Sequence, residues 1–177
     1  MPLLLLHICC GPCATSTVDH WRREGWDLEG FFFNPNVHPY LEFGRRLQGA
    51  EALAAAEAFR LREDLSYDPA AWFQAVGVKG EGRCACCIAC RLEMTAQVAA
   101  EVGCDAFSTS LAISPYQDHQ AIAREGAAAG DRHGIRFLYH DLRPLFRDSR
   151  RRARELGLYR QQYCGCILSE WERYRDA

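Results

Sequence analysis

The sequence predicts an α/β fold in one domain spanning residues 1–177, with a mostly parallel β-sheet flanked by helices. Short apolar runs at 3–6, 26–33, 106–111 and 135–140 alternate with longer stretches of helical pattern. Strands that are apolar on both faces belong to parallel sheets covered by helices on both sides. No internal repeat or low-complexity linker divides the chain, and 177 residues that are 49% hydrophobic and 25% charged suit one sizeable core.

In order, residues 3–6 read as a buried first strand, Gly11-Pro12 as a tight turn, and 14–24 as a helix that stops at Gly25. The second strand, 26–33, runs into the loop Asn34-Pro35-Asn36-Val37-His38-Pro39-Tyr40, too rich in Pro and Asn to be regular. Residues 41–59 form a long helix, and a short strand is placed at 59–61. Asp68-Pro69 is a helix start, with Asp as cap and Pro at the first position. Gly77, Gly80 and Gly82 mark a flexible approach to a helix at 88–102. A strand at 106–111, a helix at 117–129, a strand at 135–140, an Arg-rich helix and a tail complete the chain.

The composition excludes several classes. No apolar run approaches the roughly 20 residues that span a bilayer. The start MPLLLLHICC lacks the basic region and the apolar length of a signal peptide. A cytoplasmic location is therefore expected, where thiols stay reduced unless they are catalytic. The net charge of −2 offers no global basic field, so a nucleic-acid partner must be met by a local patch.

Ten cysteines in such a chain point to metal or redox chemistry. Cys9, Cys10 and Cys13 follow the first strand, at the carboxyl end where open α/β sheets place their ligands. Cys84, Cys86, Cys87 and Cys90 contain two overlapping C-x-x-C spacings, and Cys164 and Cys166 form a C-x-C pair; Cys104 is alone. The pair Cys10 and Cys13 also has the spacing of a thioredoxin-like redox site, but that reading leaves the other groups unused. Thiolates from two loops at one sheet edge suit a structural zinc or a [4Fe–4S] cluster, and spacing does not choose between them. A disulfide across Gly165 would close a tight, labile ring of catalytic or regulatory character; unlinked thiols or further ligands are the other readings.

Seven arginines lie between 143 and 160, and Arg147, Arg150, Arg151 and Arg154 share one helical face suited to phosphate. Tyr159 and Tyr163 beside them are placed to stack a base or to fill core. His38, His119 and His140 each fall at a strand or loop end, and Asp118-His119 opens a helix at the same sheet edge.

The segments HICCGPC, FFFNPNVHPYLEFGRRL, RCACCIACRLEMTA, TSLAISPYQDH and LGLYRQQYCGCILS span most of the chain. Together they resemble the QueH-type epoxyqueuosine reductase family. The resemblance implies a fold like that of the adenine-nucleotide α-hydrolases (HUP-like), and reduction of epoxyqueuosine in the tRNA wobble position to queuosine. Cys9-Cys10-Gly11-Pro12-Cys13 stands where nucleotide-hydrolysing relatives carry a Ser-Gly-Gly-x-Asp-Ser loop, which argues against ATP use. Carried over by position, the resemblance implies a [4Fe–4S] cluster on Cys9, Cys10, Cys84 and Cys87, and a redox-active, disulfide-forming pair in Cys164 and Cys166. It also implies a second mononuclear metal, iron or zinc, with Cys13 as candidate ligand. The extra Cys86 and Cys90 depart from the family pattern.

Reductive loss of an epoxide oxygen as water needs two electrons, protons and a group to receive the oxygen. A metal with an open position could receive it, Cys164 and Cys166 could supply or relay the electron pair, and His119, His38 or Asp118 could supply protons by position. The expected partners are the modified tRNA and an unidentified electron donor, with no membrane. A zinc-stabilised RNA-binding module without catalysis is the rival reading; a tRNA-sulfur-inserting enzyme is a second, disfavoured by the missing ATP loop.

Overall fold

Every residue of the first strand, β1 (Leu3–His7), is apolar except its last, and from Leu4 onward all are buried. Leu4 and Leu6, with Ile8 beyond them, pack into one hydrophobic cluster, whereas Leu5 points into a second on the opposite face. Each such leucine contributes about 2 kcal/mol by leaving water. A strand buried on both faces needs neighbours on both edges. These are β2 (Asp27–Phe32) and β4 (Ala106–Thr109), both parallel to it. With β3 (Arg60–Glu63) and β5 (Arg136–Phe137), the computed structural model, which describes residues 1–77 and 82–177, forms a five-stranded all-parallel sheet ordered β3-β2-β1-β4-β5. The order reverses between β1 and β4, the place where a crevice opens beyond the strand ends in doubly wound sheets.

One face of the sheet is covered by α1 (Gly11–Arg23), α2 (Tyr40–Ala56) and α6 (Phe146–Glu155); the other is covered by α4 (Arg83–Glu101) and α5 (His119–His133). α3 (Pro69–Val76) and α7 (Ile167–Tyr174) lie by the carboxyl ends of the strands, against α4 and the loop after β2. No helix among the described residues is long and apolar enough to cross a membrane.

Several boundaries differ from expectation for local reasons. Gly11-Pro12 is not a turn but the first turn of α1, because Pro needs no N–H there, and Cys10 becomes the helix cap. α4 starts at Arg83 rather than 88, so all four central cysteines ride on a helix. Gly82 caps it and Gly77 ends α3; Gly80 lies outside the described residues. The last strand keeps two residues: beyond Phe137 the backbone ladder ends with Leu138 N–H to Phe107 C=O at 2.9 Å, and the Leu138 carbonyl accepts from the Ser108 side chain at 2.8 Å in place of a backbone N–H. The supposed tail contains α7, a helix none of whose residues is buried.

α1 is held close on both flanks. Gly11 faces Gly49 of α2 with no room for a side chain. From α6, the Ser149 hydroxyl reaches the Pro12 carbonyl at 2.5 Å and the Thr15 hydroxyl at 2.8 Å. Arg152 of α6 is tied to Asp19 and Glu57. The start of α1, where three cysteines sit, is thereby fixed.

Candidate active site at the carboxyl ends of β1 and β4

As β1 ends and α1 begins, the chain turns so that Cys9, Cys10 as helix cap, and Cys13 one turn later present their sulfurs to one point. The three Sγ atoms lie within 4.8 Å of one another, and all three residues are buried. Cys9 and Cys10 sulfurs are 3.7 Å apart. Ser110, directly after β4, accepts the Cys9 N–H at 3.1 Å and points its hydroxyl at the Cys9 sulfur at 3.4 Å. Hydrogen bonds from Cys10, Cys13 and Ser110 hold Cys9 well below the usual thiol range despite burial. Burial pushes Cys10 up, and bonding to the other two sulfurs pushes Cys13 up. The set is ordered for one thiolate first. Soft donors converging from a turn suit zinc or an iron–sulfur group.

The turn rests on His7, which is fully buried. Its Nδ1 is 2.9 Å from the Thr109 hydroxyl and its Nε2 3.0 Å from the Phe33 carbonyl. The Phe33 carbonyl can only accept, so the neutral ring carries its proton on Nε2, and the Thr109 hydroxyl, which also accepts the Leu111 N–H, donates to Nδ1. Burial, then Arg91, lowers the His7 pKa to about 4.

A second wall comes from α4. Cys87 is buried against Trp72 and Val76 of α3 and against Cys166, and burial raises its pKa to about 11. Cys84 is exposed, and Cys84 and Cys87 lie within electrostatic reach of Cys164 and Cys166. One turn beyond Cys87, Arg91 is 3% exposed and its Nε donates to the Cys87 carbonyl at 3.2 Å. Burial opposes its charge, but the sulfurs of Cys87, Cys164, Cys9 and Cys90 hold its pKa above the usual value.

The third wall is the segment Tyr163-Cys164-Gly165-Cys166. Arg46 of α2, itself buried and paired with Glu42 at 2.8 Å, donates to the Cys164 carbonyl at 2.6 Å and the Tyr163 carbonyl at 2.8 Å. The Gly165 carbonyl accepts the His38 N–H at 2.8 Å. Gly165 sits at φ +156°, and a Cβ there would stand 2.9 Å from the Asn36 side chain and 3.2 Å from Arg46. Cys166 caps α7, its sulfur accepting the Ser169 N–H at 3.3 Å. Cys164 is exposed, with the Gln117 amide 3.3 Å from its sulfur.

These walls enclose a cavity of about 450 Å³. Cys9, Cys13 and Cys164 line it with Arg46 and Arg91, and Arg150 and Arg173 add exposed positive charge.

The structure gathers some expected residues and separates others. Cys9, Cys10 and Cys13 come together. Cys84 and Cys87 do not join them within 4.8 Å, because α4 turns Cys87 toward α3 and Cys166. All ten cysteines are free thiols. His119 does not line the cavity: its Nδ1 meets the Tyr139 hydroxyl at 2.9 Å and its Nε2 the Ser114 carbonyl at 2.8 Å. Asp118 caps α5 by accepting the Ala121 N–H. His38 is buried among Tyr67, Trp72 and Phe73, and His140 meets His20 away from the cavity. Of the four face-sharing arginines, all exposed, Arg150 reaches the cavity and Arg151 is tied to Asp148 and Glu155. Tyr159 donates to Glu42 at 2.6 Å.

Arg46 and Arg91 belong to no ligand motif. The signal for Arg91 is its phase: it shares the helix face of Ile88, Leu92 and Thr95, where a charge has no place unless something there uses it.

Residues 4–172 match the family model described as Epoxyqueuosine reductase QueH. A relative from Dehalococcoides mccartyi with that name is 42% identical over 173 residues, covering 98% of this chain and 95% of its own length. The chain belongs to the epoxyqueuosine reductase QueH family. It is an oxidoreductase. A QueH relative from Thermotoga maritima is 34% identical, covering 98% of this chain and 93% of its own length. Among solved structures, a predicted subunit of tRNA methyltransferase from Methanocaldococcus jannaschii superimposes with a TM-score of 0.57 over 96% of this chain and 97% of its own. At 12% identity that likeness concerns the fold alone.

Proposed function

We propose that this chain reduces the epoxide of epoxyqueuosine in tRNA to the alkene of queuosine, as the names of its QueH relatives describe. One observation carries the reading at the site: the buried thiol turn and the exposed Cys164 open into the same cavity, which is large enough for a modified base.

The converging buried sulfurs of Cys9, Cys10 and Cys13 fit a soft metal group. In this proposal Cys9 and Cys10 would hold a [4Fe–4S] cluster together with Cys84 and Cys87 of α4, whose sulfurs stand apart from the thiol turn in this structure, and Cys13 would face a second ion, iron or zinc. When bound, the cluster supplies electrons one at a time. Cys164 and Cys166 act as the two-electron pair: Cys164 is exposed to substrate and to an external electron donor, and Cys166 is buried behind it. Gln117 orients the Cys164 sulfur through its amide. His119 positions rather than reacts, since both ring nitrogens are engaged and one fixes the Ser114 carbonyl in the cavity wall. The arginines of α6 meet tRNA phosphate. The site is expected to work in the cytoplasm, where thiols are kept reduced.

The test is anaerobic incubation of the purified, iron- and sulfide-reconstituted protein with tRNA bearing epoxyqueuosine and a reductant, followed by nucleoside analysis. Queuosine should appear over many turnovers. No queuosine from fully loaded protein would overturn the function, and full multiple turnover by Cys164→Ser would overturn the role of the pair.

A further inference from the structure

Arg91 carries the buried guanidinium of this cavity that has no carboxylate partner among the described residues, only the sulfurs of Cys9, Cys87, Cys90 and Cys164 around it. Arg46 is committed to Glu42 and to two carbonyls, and Arg150 and Arg173 are exposed to water. Arg91 is 3% exposed, spends its Nε on the Cys87 carbonyl, and among the described residues has no carboxylate partner and no acceptor for its terminal nitrogens. Those nitrogens face the cavity, and a guanidinium so nearly buried gains from an anion or a strongly polar oxygen that meets it there. Cys9 and Cys164 line the same cavity. The uncommitted N–H groups therefore lie among the groups to which the reduction is assigned.

We propose that Arg91 is a catalytic residue of the epoxide reduction, donating its terminal N–H groups to the ring oxygen as negative charge develops there. The inference rests on the function proposed above. In that reaction both carbon–oxygen bonds break and a carbon–carbon π bond forms. Two electrons come from Cys164 and Cys166 as they close a disulfide, and their two thiol protons leave with the oxygen as water. The oxygen carries its largest charge after the first carbon–oxygen bond breaks and before protonation. A preorganised cation beside the ring oxygen stabilises that charge more than it stabilises the neutral epoxide, so its contribution falls on kcat. The guanidinium does not titrate at working pH, so Arg91 serves as a fixed donor and not as the acid.

The experiment compares wild type with Arg91→Lys and Arg91→Gln in three measurements on the reconstituted protein: queuosine formation, tRNA affinity, and iron and sulfide content. The expected result is a fall in kcat of about 10²- to 10³-fold in Arg91→Gln and a smaller fall in Arg91→Lys, with tRNA affinity and metal content unchanged. Unchanged kcat overturns the proposal. So does a loss confined to tRNA affinity, which would make Arg91 a phosphate anchor, or to metal content, which would make it a counter-charge for the thiolates. If Arg91→Gln does not fold, Arg91→Lys decides: wild-type kcat in that variant overturns the requirement for a guanidinium. A wild type that makes no queuosine overturns the function and this inference together, whereas an active wild type with active variants overturns the inference alone.

Discussion

Gly11 and Gly49 meet where α1 crosses α2: a Cβ on Gly11 would lie 2.5 Å from the Gly49 carbonyl oxygen and 2.9 Å from its carbon. The obstacle is backbone, so no rotamer relieves it. Gly11→Ala should cost about 1–3 kcal/mol, as overpacked sites do. Because Gly11 lies between Cys10 and Cys13, it should also lower metal content. Urea unfolding and metal analysis check both effects. Gly44→Ala, with open space around its Cβ position, is the control.

His7 makes stability depend on pH. Its pKa is about 4 in the folded chain and about 6.5 when unfolded, so the unfolded state binds more protons between those values. Stability from this group is complete above pH 6.5 and is lost as pH falls toward 4, by on the order of 3 kcal/mol. Unfolding midpoints of the metal-free protein between pH 7 and 4 should show that slope. His7→Asn should flatten most of it, leaving smaller parts from His20 and His38, whose pKa values burial also lowers.

Cys166 has a structural duty separable from a redox one. As the cap of α7 it accepts the Ser169 N–H, and serine caps at least as well. Cys166→Ser should leave melting unchanged and stop multiple turnover, whereas Cys166→Ala should also lower stability by about 1 kcal/mol. Full turnover by Cys166→Ser would remove Cys166 from the pair.

Arg147 and Arg154 are exposed, and neither takes part in an ion pair among the described residues, whereas Arg151 is already neutralised by Asp148 and Glu155. Arg147→Gln with Arg154→Gln should weaken tRNA binding and reduce the slope of log affinity against log salt by up to about 2. Arg151→Gln should do less. Equal effects would show that the internal pairing does not persist on RNA.

Protein purified without oxygen should be brown, bleach with dithionite and contain iron and sulfide. Iron in excess of sulfide would report the second ion. A colourless protein holding one zinc after reconstitution would favour a zinc-stabilised RNA-binding module.

Much of this was legible in the chain, and the exceptions have a common cause. The run from Leu3 to Leu6 followed by three cysteines gives the buried strand and the cysteines at its carboxyl end, because local pattern and tertiary environment agree there. Asp68 and Asp118 announce their helices because a cap is a contact between near neighbours. What stayed hidden depends on what lies across the fold. Spacing reads Cys84 and Cys87 as a pair ahead of a helix at 88, whereas both ride on α4, and the direction Cys87 faces is decided by α3 through Trp72 and Val76. α7 has no buried stripe, and the contacts that seat it come from across the fold: Leu168 on the Trp72 cluster, and Arg83 of α4 to Glu172 at 2.9 Å. His119 looks like a free base until Tyr139 and the Ser114 carbonyl occupy it.

The bonds from Arg46 to Tyr163 and Cys164 join positions 117 and 118 residues apart, yet α7, which follows them, buries no residue. Beyond that fastening α7 is held by Leu168 against the Trp72 cluster and by the surface pair Arg83–Glu172, and an element so lightly packed opens at a lower free energy than the buried sheet. Amide hydrogens of α7 should therefore exchange ahead of those of β1. Cys164 and Cys166 thus sit where a lightly packed helix joins the fold, and opening of that helix would bring the buried Cys166 sulfur within reach of an outside reductant.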